Sequence, residues 1–141
     1  MPLTVEERDQ LLAEPHVAVL AVESGSGRAP LAVPVWYSYR PGGDFLVFTG
    51  RTSRKARLIE AAGRFSLVVQ RTSPTYRYVT AEGPAKLVPV TAEDVEEVAG
   101  RYVPPEGVAE YVRQALSEAG AEMVAVLLTP ERWISADAGP S

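Results

Sequence analysis

Residues 45–63 read FLVFTGRTSRKARLIEAAG and contain the most informative pattern of the chain. An apolar run within 44–49 predicts a strand, and 53–62 predict a helix that ends at a glycine. The first turn of this helix carries three cations: Arg54, Lys55 and Arg57. Because helix N-termini favour negative charge, cations in this position indicate a bound anion, and a phosphate group fits the pattern.

The predicted anion site combines hydroxyls with cations: Thr49, Arg51, Ser53, Arg54, Lys55 and Arg57. The alternative is an ordinary helix start whose long cationic side chains extend into water. The spacing is neither that of a Walker A loop nor that of a dinucleotide-binding glycine turn, so neither nucleotide fold is indicated.

Outward from this segment, the chain predicts short strands with helices inserted between them. Strands are expected at 16–22, 29–39, 44–49, 65–70, 76–90, 123–128 and 132–135, and helices at 5–13, 53–62, 92–102 and 107–119. Gly83-Pro84 inside the long fifth strand predicts a bend of the kind found at barrel corners. We therefore expect a mainly β fold, an antiparallel barrel of six to seven strands in one domain over residues 1–141, with a loose tail from residue 136.

Composition excludes several classes of function. The chain has 141 residues, no cysteine and one histidine, which argues against disulfides, thiolate chemistry and a protein-built metal site. A net charge of −4 argues against non-specific nucleic-acid binding. No signal peptide and no run near the roughly 20 apolar residues of a membrane span is present, so we expect a cytoplasmic protein.

Four further side chains are candidates for binding or structure. The amide of Gln70, at the end of an apolar strand, is suited to hydrogen bond a heterocycle edge, although a strand-end glutamine is often only solvated. Trp36 and Trp133 are candidates for a flat-ligand cleft or a dimer seam, or for core positions. The single His16, beside a proline at a strand start, is predicted to be structural.

Five segments together resemble the pyridoxamine 5′-phosphate oxidase-like family of flavin-binding split β-barrels. They are Pro34-Val35-Trp36-Tyr37, Val47-Phe48-Thr49-Gly50, Ser53-Arg54-Lys55-Ala56-Arg57, Ser66-Leu67-Val68-Val69-Gln70 and Tyr78-Val79-Thr80-Ala81-Glu82-Gly83. The resemblance implies a homodimer of FMN-binding split barrels with two cofactors at the subunit interface.

The resemblance also implies a role for individual residues. Arg54 and Lys55 would hold the FMN phosphate, with hydroxyl or backbone contacts from Thr49 and Ser53. The backbone at Val35-Trp36 would border the isoalloxazine ring, and Gln70 would hydrogen bond the edge of that ring. Trp133 of the other subunit would close the site.

One departure and one alternative bear on the activity. The oxidase itself carries a C-terminal Arg-x-His element, which this chain lacks, so oxidation of vitamin B6 is not expected. Small members of the family also use the deazaflavin coenzyme F-420, whose anionic tail would need further cations: Arg51, Arg57, Arg71 and Arg77. The form Ser-Arg-Lys-Ala, residues 53–56, favours FMN.

The resulting hypothesis is an FMN-dependent oxidoreductase that acts on a small planar or unsaturated substrate. Its alternatives are a deazaflavin-dependent reductase and a non-enzymatic flavin- or haem-binding module. The sequence offers no obvious acid–base residue, which leaves three tyrosines as candidate proton donors: Tyr37, Tyr76 and Tyr78.

Overall fold

The computed structural model describes residues 1–119 and 122–139. Its strands are β1 (Ala18–Val22), β2 (Leu31–Val35), β3 (Ser38–Tyr39), β4 (Phe45–Gly50), β5 (Arg64–Arg71), β6 (Tyr76–Pro89), β7 (Met123–Leu128) and β8 (Arg132–Gly139). Its helices are α1 (Val5–Ala13), α2 (Arg54–Ala62), α3 (Ala92–Ala99) and α4 (Val108–Ala119), with a short 3-10 helix at Pro105–Gly107.

The strands form an antiparallel sheet with the order β2-β1-β5-β6-β7-β4-β3, and β8 pairs beside β6. This seven-strand path confirms the predicted antiparallel split barrel with inserted helices. The strand predicted at 29–39 is in fact two strands, because the chain leaves the ladder at Trp36-Tyr37. Strand β8 extends to Gly139, so the tail predicted to be loose from residue 136 is paired with β6 instead; residues 140 and 141 lie outside the described residues.

The long strand β6 joins the two halves of the barrel. Its first part pairs with β5 and β8, and its last part, Ala85–Pro89, pairs with β7. Next to the point where the pairing of β6 changes, a Cβ added to Gly83 would lie 1.9 Å from the carbonyl oxygen of Thr129. Only glycine allows this approach.

Two cores hold the elements together. The larger core fills the barrel and includes Leu11 and Leu12 of α1 and Ile59 of α2. A smaller core lies on the other face of β4, where Leu46 packs with Val98 of α3. Covered on both faces, β4 is apolar at consecutive positions, as 45–48 are in the sequence.

Helix α2 has clear local determinants at both ends. The Oγ atom of Ser53 accepts a hydrogen bond from the backbone N–H of Ala56 at 3.2 Å, which caps the N-terminus. Gly63 ends the helix with a left-handed backbone at φ 74°. The first turn of α2 contains no acidic residue, so its backbone N–H groups and its cations face no neutralising carboxylate from within that turn.

Candidate functional site

A cavity of about 190 Å³ opens where the smaller core ends. It is lined by residues of β2, the segment after β2, β4, α2 and α4: Pro34, Val35, Trp36, Phe48, Lys55 and Tyr111. Three of these, Val35, Trp36 and Lys55, are residues predicted to bind the cofactor. The cavity is smaller than the roughly 300–1,000 Å³ of pockets that enclose a whole drug-sized ligand, so it suits one part of a cofactor.

The cap of α2 joins the predicted hydroxyls. Thr49 is buried, and its Oγ1 lies 3.3 Å from the Oγ of Ser53. The guanidinium of Arg54 is exposed and donates a hydrogen bond to the Oγ of Ser24 at 3.3 Å. Lys55 is half-buried at the cavity wall. The start of α2 therefore has two contacting hydroxyls, Thr49 and Ser53, followed by the cations Arg54 and Lys55, of which Lys55 lines the cavity.

Trp36 is fixed from within the chain by aromatic residues that follow β6. Its indole stacks on the ring of Tyr102, with centroids 4.8 Å apart and planes 9° apart, and lies 5.6 Å from the ring of Tyr111. The Tyr102 hydroxyl donates to the carbonyl oxygen of His16 at 2.8 Å and accepts from the backbone N–H of Tyr37 at 3.3 Å. This network holds the backbone of the break between β2 and β3, which is the segment predicted to border the flavin ring.

Gln70 lies at the end of β5, exposed, and its side chain is oriented by a neighbour. The Tyr76 hydroxyl donates a hydrogen bond to Gln70 Oε1 at 3.0 Å, which leaves the amide N–H₂ group as the remaining donor. Gln70 lies on the same face of β5 as Val68, because side chains alternate along a strand.

That face continues as a row of side chains across five strands. The register places Pro34, Val19, Val68, Thr80 and Ile134 side by side, and none of the five is buried. Their neighbours along the strands point into the barrel core, as the burial of Leu20 and Leu67 shows. We call this row, with Val17 beside it, the outer sheet face; Val17 is 51% exposed and Ile134 is 55% exposed.

Trp133, in β8, does not line the cavity at Lys55. Its ring is covered by the guanidinium of Arg8, 3.8 Å from the ring centroid, and contacts Tyr39 and Phe45 at 5.9 Å. None of these residues lines the cavity at Lys55. A role for Trp133 in the site therefore requires a second subunit and stays a prediction.

Several other predicted candidates have partners within the chain. Tyr37 is fully buried and its hydroxyl donates to the carbonyl oxygen of Leu12 at 2.8 Å, so it is not available as a proton donor to a ligand. Arg71 bonds Thr75, and Arg77 pairs with Asp137 at 3.0 Å. By contrast, the exposed side chains of Arg51 and Arg57 form no ion pair with any residue the structure describes.

His16 has a structural partner, as predicted for it. Its Nε2 atom lies 2.7 Å from Glu14 Oε1, and its carbonyl oxygen accepts from Tyr102. Sequence reasoning did not identify Phe48, Tyr102 or Tyr111 as part of the site. Tyr111 falls in an apolar stripe of α4 that is typical of core packing, and only the fold brings it to Trp36.

The fold is an antiparallel split barrel, and the start of α2 lies beside a partly apolar cavity. A comparison with known protein families identifies the class of protein to which this fold belongs. The chain belongs to the pyridoxamine 5′-phosphate oxidase family, whose family model matches residues 4–136. No curated protein sequence matches this chain with significant similarity.

Solved structures share the fold. The conserved hypothetical protein Rv2991 from Mycobacterium tuberculosis aligns with a TM-score of 0.76 and 24% identity, covering 96% of this chain and 85% of that chain. A structure described as an F420 reductase aligns with a TM-score of 0.71 and 22% identity, covering 89% and 94%. A FAD-binding protein from Mesorhizobium loti aligns with a TM-score of 0.65 and 18% identity, covering 96% and 93%.

Among the helices the structure describes, none combines the length and the apolar character needed to cross a bilayer.

Proposed function

We propose that this chain is a cytoplasmic, homodimeric oxidoreductase that binds FMN and exchanges hydride with a small planar or unsaturated substrate. The observation that carries the proposal is the cavity at Lys55, which joins the start of α2 to the backbone at Val35 and Trp36. Family membership adds the expectation of a phosphate-bearing flavin at this place.

The phosphate is assigned to the start of α2. Arg54 and Lys55 supply positive charge there, the first-turn N–H groups point the same way, and no acidic residue in the turn competes for them. Ser53 and Thr49 add hydroxyls beside them. A cationic cluster on a chain of net charge −4 favours a small anionic ligand over a polyanion that would contact a whole face.

The isoalloxazine ring is assigned to the backbone between β2 and β3 and to Gln70. The flavin would supply the hydride chemistry, and this chain would orient it. The stacking of Trp36 on Tyr102 would hold the backbone that borders the ring. The hydrogen bond from Tyr76 would orient the amide of Gln70, so that its N–H₂ group can donate to the edge of the ring.

A second subunit is assigned to the outer sheet face. A row of half-buried and exposed side chains across five strands, with Val17 and Ile134 more than half exposed, is an apolar surface that a monomer leaves in water. Because Gln70 shares this side of β5, a dimer through this face would bring the ring-binding residues to the interface.

A deazaflavin-dependent reductase is the second candidate, and one observation favours it. Arg51 and Arg57 flank the proposed phosphate site with no acidic partner among the described residues, and FMN has no anionic group beyond its phosphate for them to pair with. The anionic tail of a deazaflavin coenzyme has such groups. The similar fold of an F420 reductase supports the same cofactor class.

The absorption spectrum of the protein purified without added cofactor tests both candidates. Bound FMN absorbs in two bands, in the blue and the near-ultraviolet, whereas a deazaflavin absorbs in one. Protein that takes up neither cofactor in titrations would refute the proposed function.

The phosphate assignment is tested by Arg54→Ala combined with Lys55→Ala. Loss of two charge-assisted contacts at roughly 1.5–3 kcal/mol each should weaken cofactor binding at least about 100-fold while the fold is kept. Lys86→Ala combined with Arg113→Ala is the matched control, since it removes two exposed cations, neither of which lines the cavity. Equal cofactor affinity in the two double variants would contradict the assignment.

A further inference from the structure

Tyr111 of α4 lies at the cavity without belonging to any predicted binding motif. Its ring is half-buried, 5.6 Å from the Trp36 ring and tilted by 34°. Among residues 108–117 of α4 no side chain is fully buried, so this helix is packed on one side of the site and not inserted in the barrel core. Tyr111 therefore forms part of the cavity wall and not of the barrel core.

The hydroxyl of Tyr111 forms no hydrogen bond with any described residue, whereas most other tyrosine hydroxyls do. The hydroxyls of Tyr37, Tyr76 and Tyr102 donate to Leu12, Gln70 and His16, and that of Tyr39 accepts from the backbone of Gly42. Within the described part of the chain, the hydroxyls of Tyr78 and Tyr111 have no hydrogen-bond partner. Only Tyr111 of these two lines the cavity.

The side chains that line the cavity favour an anion as the hydrogen-bond partner of the Tyr111 hydroxyl. Pro34, Val35 and Phe48 are apolar, and Lys55 and Tyr111 bring the ionisable groups. Burial raises the pKa of the Tyr111 phenol, so the phenol stays protonated at neutral pH and acts as a donor. An ammonium and a protonated phenol on one cavity of about 190 Å³ suit a phosphate oxygen better than a cation or an apolar group.

We propose that Tyr111 is a further cofactor-binding residue, whose hydroxyl donates a hydrogen bond to the phosphate group that Lys55 holds. The inference rests on the proposed function and extends the phosphate site from the start of α2 to the inserted helix α4. It makes α4 a direct part of cofactor recognition.

Fluorescence titrations of the dimeric protein with FMN and with riboflavin, which lacks the phosphate, test this contact. Tyr111→Phe keeps the ring and its packing on Trp36 and removes only the hydroxyl. Loss of one hydrogen bond to a charged acceptor should weaken FMN binding roughly 10- to 100-fold, and riboflavin affinity should stay at the wild-type value. Tyr39→Phe is the matched control, because that hydroxyl lies against Gly42 outside the cavity, and both affinities should be unchanged.

Each other outcome contradicts the inference. FMN affinity unchanged in Tyr111→Phe would show that the hydroxyl makes no contact, and equal losses for FMN and riboflavin would place the contact away from the phosphate. If the wild-type protein binds the deazaflavin instead, the same comparison is made with that coenzyme and its phosphate-free ribityl-deazaflavin. Wild-type protein that binds neither cofactor refutes the proposed function itself, which separates that failure from failure at Tyr111 alone.

Discussion

At the scale of single residues, the cap at Ser53 can be separated from its proposed part in phosphate binding. Its Oγ caps α2 through the backbone N–H of Ala56, and it lies next to Thr49 beside the proposed phosphate site. Ser53→Asp keeps a good capping group but adds a negative charge where the phosphate is expected. We therefore expect a free energy of unfolding within about 0.5 kcal/mol of the wild-type value and a loss of cofactor affinity of at least about tenfold.

Ser53→Ala is the companion variant, and it should affect stability more and cofactor affinity less than Ser53→Asp does. It removes the cap without adding charge, so it should cost about 0.5–2 kcal/mol of stability and weaken cofactor binding less than Ser53→Asp does. Chemical denaturation and cofactor titration of both variants give the comparison. If Ser53→Asp binds the cofactor as tightly as Ser53→Ala, the phosphate does not lie at the start of α2.

The residues that were predicted from sequence are those whose role is local. The glycine that ends α2 follows from a short-range rule, and the structure has Gly63 there in a left-handed conformation. The helix start was predicted one residue early, because Ser53 is the N-cap of α2 and not its first residue. Tyr111 and Tyr102 were not predicted as site residues, because their contacts with Trp36 join positions 66 or more residues apart. No local pattern carries that information.

At the scale of elements, a buried tyrosine ties α1 to the barrel. Tyr37 is fully buried and donates to the carbonyl oxygen of Leu12 near the C-terminus of α1, where the guanidinium of Arg101 also donates. Burial in the core raises the pKa of the Tyr37 phenol well above its usual value near 10. The nearby Arg101 only partly offsets that effect.

This raised pKa predicts alkaline destabilisation. Above about pH 10 an unfolded tyrosine loses its proton while buried Tyr37 keeps it, so the folded state binds more protons and its stability falls as the pH rises. Denaturant unfolding at pH 8 and pH 11 should show this loss, and Tyr37→Phe should reduce its slope. Tyr37→Phe should also lower stability at pH 8 by about 1 kcal/mol, since one buried hydrogen bond is lost. An unchanged slope in Tyr37→Phe would mean that other groups cause the alkaline loss.

The sequence predicted the bounds of several helices and strands well, but it did not predict the break between β2 and β3. The periods of 5–13, 53–62 and 123–128 predicted α1, α2 and β7 to within one residue of their observed bounds. The predicted single strand at 29–39 is interrupted because Tyr37 turns into the core and its N–H bonds to Tyr102 instead of a neighbouring strand. That interruption depends on α3 and the segment after it, which the alternation of residues in 29–39 does not reveal.

At the scale of the whole molecule, β6 divides the barrel into a half that carries the outer sheet face and a half covered by α3. Gly83, in contact with the backbone at Thr129, allows one strand to serve both halves. The second half has its own cover, because Leu46 and Ala125 pack with Val98. Among the described residues, no side chain buries Val19, Val68 or Ile134 in the same way, and Ile134 is 55% exposed. This asymmetry is the reason that the outer sheet face is the proposed subunit interface.

If a second copy of this chain supplies that cover, charges on the outer sheet face should break the dimer and the cofactor site together. Val17→Asp combined with Ile134→Asp places two carboxylates on the proposed interface, where burial of unpaired charge is strongly unfavourable. Light scattering should then show a monomer. Cofactor affinity should fall as well, because the second subunit would no longer cover the proposed ring site next to Gln70. Val5→Asp is the matched control: Val5 is 60% exposed at the start of α1, where a carboxylate is tolerated, so dimer and affinity should persist. A monomeric wild-type protein that still binds cofactor, or a double variant that stays dimeric, would show that the outer sheet face is not the subunit interface.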